Sequence, residues 1–193
     1  NLATGTGSGS DAQGMIAGRL WWLLRWLGHE QVAVLDGGLQ AWQAAGRALT
    51  TELPVLRPTT FTAQLRDTMV DADYVQVFLQ TSRMHLVDAR SPDRFRGENE
   101  TIDPVGGHIP GAVNRFFREN LRADGRFKPA AELRAEWLMV LAGASPEQVV
   151  HQCGSGVSAC HNILAMEIAG LPGSRLYAGS WSEWCTDCGR PVA

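Results

Sequence analysis

The stretch Val149-Val150-His151-Gln152-Cys153-Gly154-Ser155-Gly156-Val157-Ser158-Ala159 reads as a strand that ends in a cysteine, a glycine-rich turn and the start of a helix. This arrangement favours a reactive thiolate. Backbone N–H groups of such a turn converge on the sulfur, and the positive end of the following helix dipole adds to them, so charge on Cys153 is stabilised. The competing reading is a buried structural cysteine, the usual state of a free thiol. Two glycines and two serines packed directly after the cysteine argue for the nucleophile, so Cys153 is the catalytic candidate.

Outward from this loop, apolar runs of strand length alternate with helical patterns. Strands are expected at Leu86 to Asp88, Val113 to Asn114, Gln148 to Gln152 and Ser174 to Tyr177. Helices are expected near Pro92 to Phe95, at Ala130 to Ala142 and at Ala159 to Ala169, and Gly107 to Gly111 reads as a loop. Such alternation predicts an α/β fold, a doubly wound and mainly parallel sheet with helices on both faces. Cys153 then falls at the carboxyl end of a strand, where open sheets of this kind bind ligands.

The chain has 193 residues and a formal charge of −3, with its basic residues scattered, so neither nucleic acid nor an anionic membrane is an expected partner. The run Met15 to Gly28 is rich in tryptophan but short and contains Arg19 and Arg25, so it reads as a helix covered on more than one side rather than a membrane span. Gly28 is its natural stop. No leader pattern is visible at the start, and the expectation is a cytoplasmic protein. Cys153, Cys160, Cys185 and Cys188 do not make a disulfide framework. Cys185-Thr186-Asp187-Cys188 lacks a second ligand pair, so no metal or cofactor is expected. It reads either as a redox pair or as two incidental thiols, the second being favoured. Cys160 is assigned to the core, and His151 and His161 to local hydrogen bonding.

Four further motifs accompany the loop in order: Asp88-Ala89-Arg90, Arg94-Phe95-Arg96-Gly97, Gly107-His108-Ile109-Pro110-Gly111-Ala112 and Gly179-Ser180-Trp181-Ser182-Glu183-Trp184. With Cys153-Gly154-Ser155-Gly156-Val157-Ser158, this set resembles the rhodanese-type sulfurtransferases. The loop is similar to that of their mercaptopyruvate branch. The resemblance implies a rhodanese-like fold and transfer of sulfane sulfur, from 3-mercaptopyruvate or thiosulfate to a thiol or cyanide, through a persulfide on Cys153. It implies that Gly154, Gly156, Val157 and Ser158 form the substrate cradle and that Arg94 anchors the donor's anionic group. Ser155 matches a serine of a proton relay; the alternative is a loop hydroxyl bonded to its own backbone. Asp103 stands where the mercaptopyruvate branch has a second arginine, while the loop lacks the basic residues of the thiosulfate branch. Both donors stay open, and the loop favours mercaptopyruvate. The rivals are a persulfide carrier or interaction module of weak activity and, further off, a phosphatase or arsenate reductase. The last two want a loop longer by one residue or an arginine closing it, where this chain has Ala159.

A constant shift of 142 residues places Trp42 on Trp184, Gly37 on Gly179, Gly28 on Gly170 and Gly14 on Gly156. Val34 to Gly38 then matches Leu176 to Ser180, and Asp11 falls on Cys153. The chain is therefore expected to divide into a remnant of an inactive N-terminal rhodanese domain at 1–53, a linker at 54–58 and a catalytic domain at 59–193. In this reading Val32 to Leu35 forms a strand. The Gly-, Ser- and Thr-rich head, residues 1–10, has no strand pattern, so the remnant lacks most of a domain, including the part that supplies a relay histidine and aspartate in the mercaptopyruvate branch. Its tryptophans need cover, either from the catalytic domain or from a second copy in a homodimer.

Overall fold

The computed structural model describes residues 12–53, 55, 58 and 60–193. Asp11, the head before it, and Pro54, Leu56 and Arg57 of the expected linker lie outside the described residues. Five strands, β1 (Met69–Val70), β2 (His85–Asp88), β3 (Val113–Asn114), β4 (Val149–Gln152) and β5 (Arg175–Tyr177), form one sheet in the order β1-β5-β4-β2-β3. Every pairing is parallel, and β4 lies at the centre between β5 and β2.

Successive strand residues face opposite sides of the sheet, and the apolar runs supply both sides. Leu86, Val150 and Tyr177 join a core with Val75 of α3 (Ala72–Phe78) and with Trp181 and Trp184 of α7 (Ser180–Trp184). On the opposite face Val87 and Val149 pack with Leu133 and Trp137 of α5 (Ala130–Leu141) and Ala165 and Met166 of α6 (Ser158–Ile168). The expected α/β layering, with helices on both faces, is the observed one. Strand β1 and helix α3 were not anticipated, although the Asp71 side chain accepts the Tyr74 N–H at 2.8 Å and caps α3.

The tryptophan-rich run forms α1 (Met15–Trp26), which lies against α6 and buries Gly18, Trp21 and Trp22. Arg25 covers Trp21 and Arg19 covers Trp22, each 5.2 Å from the ring centre. Cover from the same chain thus meets the need that had suggested a homodimer. Gly28, with φ of 89°, ends the helix in a Schellman turn: its N–H donates to Arg25 and that of His29 to Leu24.

Two expectations for the first unit fare differently. A short helix, α2 (Gly38–Ala44), forms at the place that the 142-residue shift assigns to α7. Val32 to Leu35, expected as a strand, is not one: Val32 and Val34 pack on the α1/α6 core, but no strand among the described residues pairs with them. A strand's backbone groups need a ladder, and β5 has one on each side while this segment has none.

Candidate active site

Cys153 follows β4 directly, so the central strand carries its sulfur to the carboxyl edge of the sheet. The residue is 2 % exposed. Its backbone is fixed at both ends: its N–H donates to the Ser180 hydroxyl at 3.1 Å, and its carbonyl accepts from Trp181 N–H at 3.0 Å. Ser180 holds this position with φ of 56° and donates its own hydroxyl to the Tyr177 carbonyl at 2.9 Å.

The turn after Cys153 depends on Gly156. Its φ is 72°, and a Cβ there would lie 2.4 Å from the Ala178 carbonyl oxygen, so no side chain fits. Among the described residues, the five consecutive N–H groups from Gly154 to Ser158 have no acceptor. Gly156 and Ser158 of this run are buried, and buried amides are nearly always paired, so free ones beside a cysteine suit anionic atoms. The loop is also held from α1. Arg19 donates to the Gly156 carbonyl at 3.2 Å, and the Cys160 thiol donates to the same oxygen at 3.3 Å. Burial pushes the Cys160 thiol up to about 12, so it stays protonated and belongs to the core, as expected.

A cleft of about 520 Å³ opens over this loop. Cys153, Gly154, Ser155, Val157 and Ser158 form its floor, with Arg90, Arg94, Phe116 and Arg118 among its walls. The structure therefore gathers the sequence-assigned residues: Arg94 and four of the loop positions line the cleft with Cys153, and Gly156 shapes the turn. Ser155 is exposed, and its hydroxyl makes no hydrogen bond among the described residues, so the alternative of a self-bonded loop hydroxyl has no support. A wider groove of about 660 Å³ between residues 32–36 and α6 contains no cysteine or histidine.

Arg94 sits in α4 (Pro92–Phe95), with its Nη1 3.6 Å from the point where a Gly154 Cβ would stand. Its other nitrogens are taken. Nε and Nη2 bind Glu100 at 3.1 and 2.8 Å, and Nη2 also meets Asp103 at 3.3 Å. Asp103, which stands where the mercaptopyruvate branch has a second arginine, folds onto Arg94. Burial would raise the Glu100 carboxyl, but the Ile102 and Asp103 amides and the Arg94 guanidinium outweigh it and hold the group below the usual carboxylate range.

Sequence reasoning missed Arg90, which is buried over Trp181 and grips Asp88 at 3.0 and 2.8 Å while donating to the Gly107 carbonyl at 2.8 Å. It also missed Arg118 and the role of Ser180. The Asp88-Ala89-Arg90 and Gly179-Ser180-Trp181 motifs were the available signals. Cys185 is buried and Cys188 exposed, both as free thiols, and no metal-binding group occurs among the described residues. No described helix is long and apolar enough to cross a membrane.

An open parallel α/β sheet with a cradled cysteine at the edge of its central strand defines the class. The Rhodanese-like domain model matches residues 71–187, and the chain belongs to that family. It is 51 % identical over 185 residues to a probable 3-mercaptopyruvate sulfurtransferase of Pseudomonas aeruginosa, covering 95 % of this chain and 65 % of that one. It is 39 % identical over 181 residues to the thiosulfate sulfurtransferase of Rattus norvegicus, covering 91 % and 60 %. The chain thus spans about two thirds or less of these relatives' length. Among solved structures, the 3-mercaptopyruvate sulfurtransferase from Leishmania major superposes with a TM-score of 0.74 at 34 % identity, over 91 % of this chain and 49 % of that one. A structure of EanB in complex with ergothioneine covalently linked with a cysteine persulfide superposes with a TM-score of 0.83 at 26 % identity, over all of this chain and 48 % of that one.

Proposed function

We propose that the chain carries the catalytic domain of a sulfurtransferase that moves sulfane sulfur through a persulfide on Cys153. The observation that carries this reading is the buried Cys153 at the floor of a cleft, followed by five N–H groups that have no acceptor among the described residues. A thiolate there attacks the outer sulfur of a donor. The new S–S bond forms as the donor's S–S or C–S bond breaks, and the electron pair leaves with sulfite or with the enolate of pyruvate, which then takes up a proton. A thiol or cyanide acceptor attacks the outer sulfur in turn and returns Cys153 as thiolate. The free N–H groups stabilise the negative sulfur in both states.

Relatives named for both 3-mercaptopyruvate and thiosulfate support either donor. The lack of charge at Gly154 and Ser155, and the free Ser155 hydroxyl near the departing enolate, favour 3-mercaptopyruvate. The division into 1–53, 54–58 and 59–193 forms part of this reading, and the family match at 71–187 falls inside the last unit. The relatives' extra length fits a first domain that continues beyond this chain. A cytoplasmic location is proposed on the reactive free thiol, which survives in a reducing compartment.

Steady-state turnover with varied donor and acceptor tests the reading. Parallel lines in double-reciprocal plots, the signature of a ping-pong cycle, are expected. Turnover by a Cys153→Ser variant would refute it.

A further inference from the structure

We propose that Arg118 is the cation that receives the unreacting anionic group of the sulfur donor. This rests on the sulfur-transfer reading and names a residue for it that no sequence motif marked.

The argument is one of charge. Asp88, Glu100 and Asp103 pair with Arg90 and Arg94 in a single connected cluster, of which the two arginines line one wall of the cleft. Three carboxylates against two guanidinium groups leave the cluster behind that wall with an excess of negative charge, and only Nη1 of Arg94 is turned free toward the loop. An anion approaching there gains little from a cation whose charge is already neutralised.

Arg118 lies on a separate element, the 3₁₀ turn Phe117–Asn120, and lines the same cleft as Cys153. Its guanidinium has no carboxylate within 4 Å and no hydrogen bond among the described residues. Stacking over Phe116 and Phe117, at 5.7 and 5.8 Å from their centres, holds it in place. The turn is tied to the strand that ends in the charged wall, since Phe117 N–H donates to the Ala89 carbonyl at 3.2 Å. A planar guanidinium presented to a cleft without a counter-ion fits the oxygen pair of a carboxylate or a sulfonate. The reacting sulfur of the donor then points to Cys153 while its oxygens bind Arg118 and the Arg94 Nη1.

Calorimetric titration of thiosulfate into the Cys153→Ser chain at fixed ionic strength tests this. Adding Arg118→Ala should weaken binding about tenfold or more, as expected for losing a charged hydrogen bond. Arg118→Lys should recover part of the loss, and Arg96→Ala, at an exposed pair with Glu98, should change nothing. A parallel titration with 3-mercaptopyruvate identifies which donor depends more on Arg118. Equal affinity with and without the Arg118 side chain for both donors, or no binding of either to the Cys153→Ser chain, would overturn the proposal. Binding through Arg118 with no persulfide on the unsubstituted chain would keep the subsite and defeat the sulfur-transfer reading. Persulfide formation indifferent to Arg118→Ala would do the reverse.

Discussion

Helices α1 and α6 are two solutions to the same sequence pattern, 142 residues apart. Both follow a glycine in the left-handed region, Gly14 with φ of 82° and Gly156 with φ of 72°. Both end in the same pair of hydrogen bonds, Gly28 to Arg25 with His29 to Leu24, and Gly170 to Glu167 with Leu171 to Met166. Their surroundings diverge. The turn before α6 is wedged against Ala178 and closes over Cys153, whereas nothing but the rim of His161, 3.8 Å away, approaches Gly14. Local sequence code reproduces the helix and its cap in both places, but only the turn at the edge of the sheet builds a cradle. Helix α1 acts as a support: its Arg19 holds the Gly156 carbonyl.

Swapping one methyl group into each turn should break this comparison most sharply. Gly156→Ala places a Cβ into the Ala178 carbonyl, so the loop must shift, and activity should fall by at least about a hundredfold, as positioning losses of this kind do. Gly14→Ala meets only the His161 ring, at an ordinary contact distance of 3.8 Å, and costs only the left-handed backbone, about 1 to 2 kcal/mol. Matched turnover and denaturation measurements on the two variants check the contrast, and equal effects would erase it.

Removing the ring of Trp22 tests whether α1 is an integral layer. Trp22→Ala should cost about 3 to 5 kcal/mol in a denaturant melt, because the ring is 4 % exposed between α1 and α6. A loss below about 1 kcal/mol would mean that the first unit is only loosely attached.

Acid should destabilise the packing around α6 through two buried histidines. Burial holds His151 down to about 3 and His161 down to about 4, so both are neutral in the fold and gain protons on unfolding. Their folded values are depressed, so stability is full above the ordinary value near 6.5 and declines as pH falls below it. At pH 5 each should have cost roughly 2 kcal/mol. His151→Leu should flatten the melting profile between pH 7 and 5; an unchanged slope would contradict neutral burial.

Arg19→Ala is expected to act more weakly than any of these, lowering turnover a few-fold through the lost Gly156 hydrogen bond while leaving donor affinity nearly constant. A change confined to affinity would place Arg19 in the cleft rather than behind the loop.

What the sequence disclosed tracks how local each feature is. The strand-cysteine-turn-helix at 149–159, α1 with its Gly28 stop, and the boundaries of α5 and α6 are set by residues within a turn or two of one another, and they were legible. Val32 to Leu35 has the composition of β5 without neighbours to pair with, a fact that composition cannot contain. Two-residue β1 is too short to show a period of its own. Within the site, the sequence singled out Cys153, its loop and Arg94, and these residues line one cleft. The neutralisation of Arg94 by Glu100 and Asp103 was not legible, because it arises when residues 100–103 fold back so that Glu100 also accepts the Ile102 and Asp103 amides. Arg118 was invisible for the opposite reason: its distinction is a guanidinium without a carboxylate beside it among the described residues, and only the assembled charge map shows it.

The central claim is that Cys153 stores sulfur. Intact-mass and peptide mass spectrometry of the chain after brief exposure to 3-mercaptopyruvate or thiosulfate, without acceptor, tests it most directly. The expected result is one added sulfur atom, located on the peptide containing Cys153, removed by cyanide and absent in Cys153→Ser. Sulfur added instead at Cys185 or Cys188, or none at Cys153 with either donor, would contradict the account.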